Sequence, residues 1–186
     1  MIAADKISYS NARDKTMRPW IRVILLSMAL AGCQSVQNLM PGNSAVKDAP
    51  AAVKRQVAFP IAAYAKFDKK GTATIKGRLM YMTSQGKRIY GANEKISIAP
   101  VTTYSAEAAD VALSGRRIEP ADPRASEYTH FAKTDSQGYF AAHDIPAGVF
   151  YVAGSVLLPG GKARSPIIIK QVEIGHGKTV SVDLSR

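Results

Sequence analysis

Thr134-Asp135-Ser136-Gln137-Gly138-Tyr139-Phe140 and, a few residues on, Ile145-Pro146-Ala147-Gly148-Val149-Phe150 decide how this chain is read. Asp135 can accept bonds from backbone amides inside a tight turn, and Gly138 can take the positive φ that such a turn requires. Phe140 points inward as the chain leaves the turn. Pro146 has no backbone N–H and ends strand pairing. Gly148 restarts the chain at a sharp bend. The two segments therefore predict consecutive antiparallel strands joined by a turn and a bend, and their residues are folding devices.

Working outward, the same architecture recurs. Ala73, Ile75, Leu79 and Tyr81 alternate with Thr74, Lys76, Arg78 and Met80, and Gly77 falls on the inward set. Ile96 and Ile98 alternate with Lys95 and Ser97. Val180, Val182 and Leu184 alternate with Thr179, Ser181 and Asp183. A period of two marks a half-buried strand. Residues 149–158 are apolar on both faces and read as a central strand; residues 167–174 read as another, and one more is expected at Tyr128. Ser84-Gln85-Gly86, Pro159-Gly160-Gly161 and Gly175-His176-Gly177 supply turns. The expectation is an all-β, seven-stranded antiparallel sandwich. Only residues 105–114, S-A-E-A-A-D-V-A-L-S, favour a helix, with Ser105 as its cap.

The paired motif resembles that of the carboxypeptidase regulatory-like domain, whose pattern runs roughly T-D-x-x-G-x-F, a short gap, then L/I-P-x-G-x-Y. Phe150 stands at the last aromatic, and the upstream Ile96-Ser97-Ile98 is also similar. The resemblance spans residues 71–186. It implies a transthyretin-like, Ig-like sandwich and says almost nothing about activity. Zinc carboxypeptidases carry an H-x-x-E pair; none of His130, His143 and His176 begins one, so the resemblance is to their accessory part.

Other chemistry is equally sparse. There is no H-E-x-x-H, G-x-S-x-G or phosphate-binding glycine loop. The C-terminal Val182-Asp183-Leu184-Ser185-Arg186 lacks the Tyr-Arg-Gly-Ser tail of hydroxyisourate hydrolases. Tyr128 and His130 have no companion pair at the spacing of intradiol dioxygenases. No Asn follows Asn93, so the last-strand partner of a pilin-like isopeptide is missing. His143-Asp144 reads as a turn. The chain is expected to be no enzyme, with no cofactor or metal.

Residues 103–127 form a long connection, and long connections in compact domains tend to be functional or disordered. Tyr104, Arg116, Arg117, Asp122 and Arg124 are the candidate interaction residues there. Two kinds of partner are expected. A protein could add a strand to an exposed sheet edge. Alternatively, a glycan of the cell wall would need a groove with exposed aromatics, for which Tyr104, Tyr128 and Tyr139 are candidates.

The N-terminal third has a different character. Residues 23–30, V-I-L-L-S-M-A-L, follow Arg18 and Arg22 and precede Ala31 and Gly32. Such a run is too short to span a bilayer, which takes about 20 residues. A basic start, a short apolar centre and a small-residue end make a secretory signal, 1–32. Leu30-Ala31-Gly32-Cys33 is similar to the lipobox of bacterial lipoprotein precursors, which implies cleavage before Cys33 and acylation of its thiol, palmitate included. Met17 begins a tidier signal than Met1. Gln34, in place of Asp, resembles lipoproteins sent to the outer membrane and implies its periplasmic face.

Residues 33–70 are expected to be the lipidated cysteine and a flexible tether, reaching on the order of 120 Å if fully extended. Within it, residues 57–67 carry Phe59, Ile61, Tyr64 and Phe67, which fit an edge strand, a short helix or a docking segment. The sandwich would then occupy 71–186. The net charge is +11, and the part after the signal keeps 20 basic against 12 acidic residues. Those charges are scattered, with doublets only at Lys54-Arg55, Lys69-Lys70, Lys87-Arg88 and Arg116-Arg117. Export makes nucleic acid a poor partner. Cys33 is the sole cysteine, so no intrachain disulfide forms.

Overall fold

β1 (Ala73–Met82) is the spine of the first sheet in the computed structural model, which describes residues 51–186. The signal, the lipobox Leu30-Ala31-Gly32 and Cys33 lie outside the described residues. Ile75 to Arg78 pair on both sides at once. β5 (Tyr139–Ile145) runs antiparallel on one edge and β8 (Thr179–Ser185) parallel on the other. β2 (Arg88–Tyr90) continues the β5 edge, pairing antiparallel with Met80, Tyr81 and Met82. The second sheet is antiparallel throughout, in the order β4 (His130–Lys133), β3 (Lys95–Pro100), β6 (Gly148–Gly154), β7 (Ile168–Ile174).

The all-β sandwich expected from the alternation is therefore present, with two corrections. Among the described residues there are eight strands, not seven, because β2 is three residues long and shows no alternation. The sandwich is not wholly antiparallel, because β1 and β8 pair in parallel. That pairing joins the first strand to the last, so no local turn signals it.

Between the sheets lie Ile75, Leu79, Ile96, Ile98, Val152 and Leu184, each fully buried. Burying a side chain of this size contributes about 1.5–3 kcal/mol relative to leaving it in water. In β6, Phe150 and Val152 face this core while Tyr151 and Ala153 are half-buried on the other side. β6 is central, between β3 and β7, as its continuous apolar run implied.

The turn of the opening motif forms as its chemistry requires, but the consecutive strands it joins do not pair with one another: β4 and β6 belong to the second sheet and β5 to the first, so the turn and the bend are crossings between sheets. Asp135 Oδ1 accepts from the amides of Gln137 (2.8 Å) and Tyr139 (2.9 Å). Gly138 has φ +85°, and a Cβ there would come within 2.6 Å of the Leu79 carbonyl oxygen. Phe140 is buried and crosses β1 at Gly77, where a Cβ would lie 2.9 Å from its ring. Thr134 does more than its place in the motif suggested. Its buried hydroxyl accepts from Glu94 N (2.7 Å) and donates to the Gly91 carbonyl (2.5 Å). The Glu94 carboxylate, also buried, accepts from Leu157 N (2.8 Å) and pairs with Arg164, closing the loop between β6 and β7. His143-Asp144 lies in β5, not in a turn: the strand continues to Ile145, with a register shift opposite Ala73/Ile75 and His143 Nδ1 3.2 Å from Thr74 Oγ1.

The helix comes earlier than expected, α2 (Thr103–Leu113), with Thr102 and not Ser105 as N-cap. Thr102 Oγ1 accepts from Ser105 N (3.1 Å) and Ser105 Oγ accepts from Thr102 N (2.9 Å), a reciprocal capping box. Two residues that both favour caps stand three apart, and only the turn geometry chooses between them. No helix among the described residues is long and apolar enough to cross a membrane.

Candidate functional site

The two outer faces of the sandwich have opposite fates. On the second sheet the outward positions are small or medium: Ser97, Ala99 and Ala153, with Tyr151. α2 lies over them on its own alanines, Ala108, Ala109 and Ala112, leaving a gap of about 280 Å³. Small side chains on both surfaces let a helix approach a sheet closely.

The stretch expected to be tether seals this arrangement. The Val53 amide donates to the Arg117 carbonyl (2.7 Å), and the Val53 carbonyl accepts from Glu119 N (2.8 Å). Arg55 N and Nε donate to the Glu119 carboxylate (3.0 Å) and carbonyl (3.2 Å), and its guanidinium lies 4.2 Å from the Tyr104 ring centroid and 3.9 Å from Glu107. Gln56 N and Val57 N donate to the Glu107 carboxylate. α1 (Ile61–Tyr64) then places Tyr64 at the centre of an aromatic cluster. Phe59 is 4.6 Å from it, Tyr128 5.3 Å, Phe67 5.9 Å and Tyr104 6.4 Å, centroid to centroid. Burial pushes the Tyr64 hydroxyl pKa up. Residues 53–67, expected to be tether, thus pack against the sandwich. Residues 57–67 are a docking segment containing one short helix. Positions 59, 64 and 67 follow no strand or helix period; their rings meet one another locally and meet Tyr104 and Tyr128 forty or more residues away.

The candidate interaction residues of the 103–127 connection are therefore split. Tyr104 is buried (4% exposed) and its hydroxyl accepts from Asp122 N (2.7 Å). Asp122 caps α3 (Pro123–Ser126), accepting from the Arg124 amide and pairing with its side chain at 2.8 Å. The Arg124 guanidinium holds the Asp122 carboxyl down to about 2. Arg124 also stacks 4.7 Å from Phe59. Arg116 and Arg117 are exposed, and the Arg117 carbonyl receives Val53. As a surface for another molecule this connection is largely occupied by the chain's own residues 53–67.

Among the described residues, the first sheet has no such cover. Its outward residues are long: Lys76, Arg78, Met80 and Met82 on β1, Arg88 and Tyr90 on β2, Tyr139 on β5. They line an open trough of about 1270 Å³ that extends to Lys133 and Asp135 on one side and Ser181 and Asp183 on the other. Arg78 stands at its middle. Its guanidinium lies 3.8 Å from the Tyr90 ring centroid and 4.4 Å from that of Tyr139, and its Nε donates to the Gln137 carbonyl (3.0 Å). Strand register causes this: Arg78 is directly opposite Tyr139, and Met80, two residues on, is opposite Tyr90. Tyr139 is 47% exposed and Tyr90 38%. The asparagine-free turn that carries Asp135 and Gly138 fixes the Tyr139 end. Exposed rings held in place by a cation are a preformed apolar platform with polar edges.

Of the three tyrosines expected in a glycan groove, only Tyr139 is there; Tyr104 and Tyr128 belong to the aromatic cluster beneath the docked segment. Arg78 and Tyr90 were missed. Arg78 was legible as outward in β1, but its neighbours were not. Tyr90 sits on a strand too short to read. Among the described residues, no three His, Cys, Asp or Glu side chains converge as metal ligands.

No protein-family model matches the sequence, and no curated protein matches it. Among solved structures, the fold is similar to that of a proposed carbohydrate-binding protein from Pseudomonas aeruginosa. The TM-score is 0.59 at 26% identity, over 69% of this chain and 97% of that one.

Proposed function

We propose that the chain is a non-catalytic binding module of the bacterial envelope, and that it binds glycans on the open outer face of the first sheet. The observation that carries this reading is the exposed Tyr90–Arg78–Tyr139 platform. The C–H faces of pyranose rings pack on electron-rich aromatic rings, while neighbouring polar groups meet the hydroxyls. A rigid sheet holds such rings in place without ordering cost at binding. The likeness to a proposed carbohydrate-binding protein points the same way. Within this reading the sandwich is of the transthyretin-like, carboxypeptidase regulatory-like kind. Lipid on Cys33 holds it on the periplasmic face of the outer membrane.

Between Cys33 and the first bond to the sandwich at Val53 stand nineteen residues, 34–52, a length of chain that spans at most about 60 Å. A cell-wall polymer within that distance is the natural ligand. The test is an array of envelope and cell-wall oligosaccharides probed with the purified protein and with a Tyr90→Ala/Tyr139→Ala double variant. Binding lost in the double variant supports the reading; binding retained by it, or absent from the wild type, overturns it. For the anchor, Cys33→Ser is expected to leave an unprocessed precursor that takes up no labelled palmitate.

A second reading, binding of an envelope protein by strand addition, draws on β7. It pairs with β6 on one side and with no described strand on the other. Crosslinking in intact cells followed by mass spectrometry tests it; a near-stoichiometric partner joined at residues 168–174 is the expected result.

A further inference from the structure

We infer that the open face selects acidic saccharides, with Arg78 receiving the carboxylate. The inference rests on the glycan reading of that face and adds the charge of its ligand. Four cations border the trough: Lys76, Arg78, Arg88 and Lys133. Two acids do, Asp135 and Asp183, and neither is ion-paired with Arg78. Asp135 Oδ1 is held by the amides of Gln137 and Tyr139. Asp183, although in register with Arg78 across the β1–β8 pair, accepts from the Ser185 hydroxyl (3.1 Å) and forms no ion pair with any described cation.

Arg78 is the decisive group. The two tyrosine rings flank its guanidinium and Nε is committed to the Gln137 carbonyl, which together fix its plane. Its two terminal nitrogens donate to no acceptor among the described residues. A guanidinium with a fixed plane and free terminal N–H groups presents a fork that matches both oxygens of a carboxylate. Elsewhere in the described chain, arginines lying on aromatic rings also meet acids: Arg55 has Glu107 and Arg124 has Asp122. Arg78 has the ring partners without the acid. A uronic acid supplies it: the carboxylate takes the fork, the ring's C–H face lies on Tyr139 or Tyr90, and Lys76 and Arg88 attract the next acidic residue along the polymer. Aromatic rings bordering the guanidinium lower its hydration, which strengthens the bond it makes to a carboxylate.

The experiment is titration calorimetry of the full-length protein with oligogalacturonate and alginate oligosaccharides, each beside its carboxyl-reduced, neutral counterpart. At least one acidic oligosaccharide is expected to bind tenfold or more tighter than its neutral counterpart, and the difference should shrink in 0.5 M salt. Arg78→Gln should abolish the difference. Because Arg78 also touches the turn, Lys76→Gln/Arg88→Gln serves as a second variant away from it, and should reduce the preference severalfold with unchanged melting. Equal binding of acidic and neutral forms, lost in the tyrosine double variant, overturns the charge selection and leaves the glycan reading standing. No binding of any glycan, here or on the array, overturns both.

Discussion

Among the described residues, the outer face of the second sheet is covered and that of the first is open, although both sheets bury their inner faces in one core. The difference lies in side-chain size. Ser97, Ala99 and Ala153 leave room for α2 and its alanines, and residues 53–67 close over the result. Lys76, Arg78, Met80 and Tyr139 leave no room, and Lys76 and Arg78 carry charge that covering would desolvate. On the covered side, arginine–aromatic contacts join segments distant in sequence. On the open side the same kind of contact, Arg78 with Tyr90 and Tyr139, leaves rings and N–H groups facing solvent. One side uses this chemistry for stability and the other has it available for a ligand.

The sharpest way to break that contrast is Tyr64→Ala. It removes the centre of the covered cluster and is expected to cost about 3 kcal/mol, read as a fall in the urea midpoint. An unchanged midpoint would show that residues 53–67 add nothing to the fold. Next comes Ala153→Leu, which puts bulk beneath α2. Overpacking should cost about 1–3 kcal/mol, with the helix displaced before the sheets are, visible as faster amide exchange in residues 103–113. On the open face the Tyr90→Ala/Tyr139→Ala variant should cost no more than about 1 kcal/mol, since exposed side chains lose little. A larger loss would make the platform structural.

The smallest effect concerns the seam between the sheets. His130, on β4, is half-buried with its ring 6.4 Å from that of Phe150, and its Nε2 meets no partner among the described residues. Burial pushes its pKa below 6.5, against a weaker opposing pull from Asp144. The fold therefore favours the neutral ring. Its contribution is complete above the unfolded value near 6.5 and is lost as pH falls through the lower folded value. His130→Phe should flatten the pH dependence of stability below the unfolded value near 6.5; an unaltered slope would place the titrating group elsewhere.

Legibility followed the range of the interactions. Strands β1, β3, β6, β7 and β8 were readable because alternation and apolar runs are local. The Asp135–Gly138 turn was readable because its hydrogen bonds close within five residues. β2 was lost to its brevity and the β1–β8 parallel pair to its span of about a hundred residues. Tyr104, expected at an interaction surface, is buried against Tyr64: a tyrosine in a long connection looks the same in sequence whether it meets solvent or Tyr64.

By itself, then, the sequence determined the all-β character of the domain, its main turns, and the outward placing of Arg78 and Tyr139 on their strands. Each follows from backbone geometry and side-chain polarity over a few residues. Only the tertiary structure decided that residues 53–67 pack against the sandwich, that Tyr104 and Tyr128 are taken by a cluster, and that Tyr90 comes to lie beside Arg78. Those outcomes depend on which distant surfaces fit together, and shape complementarity between remote segments leaves no periodic trace in the chain.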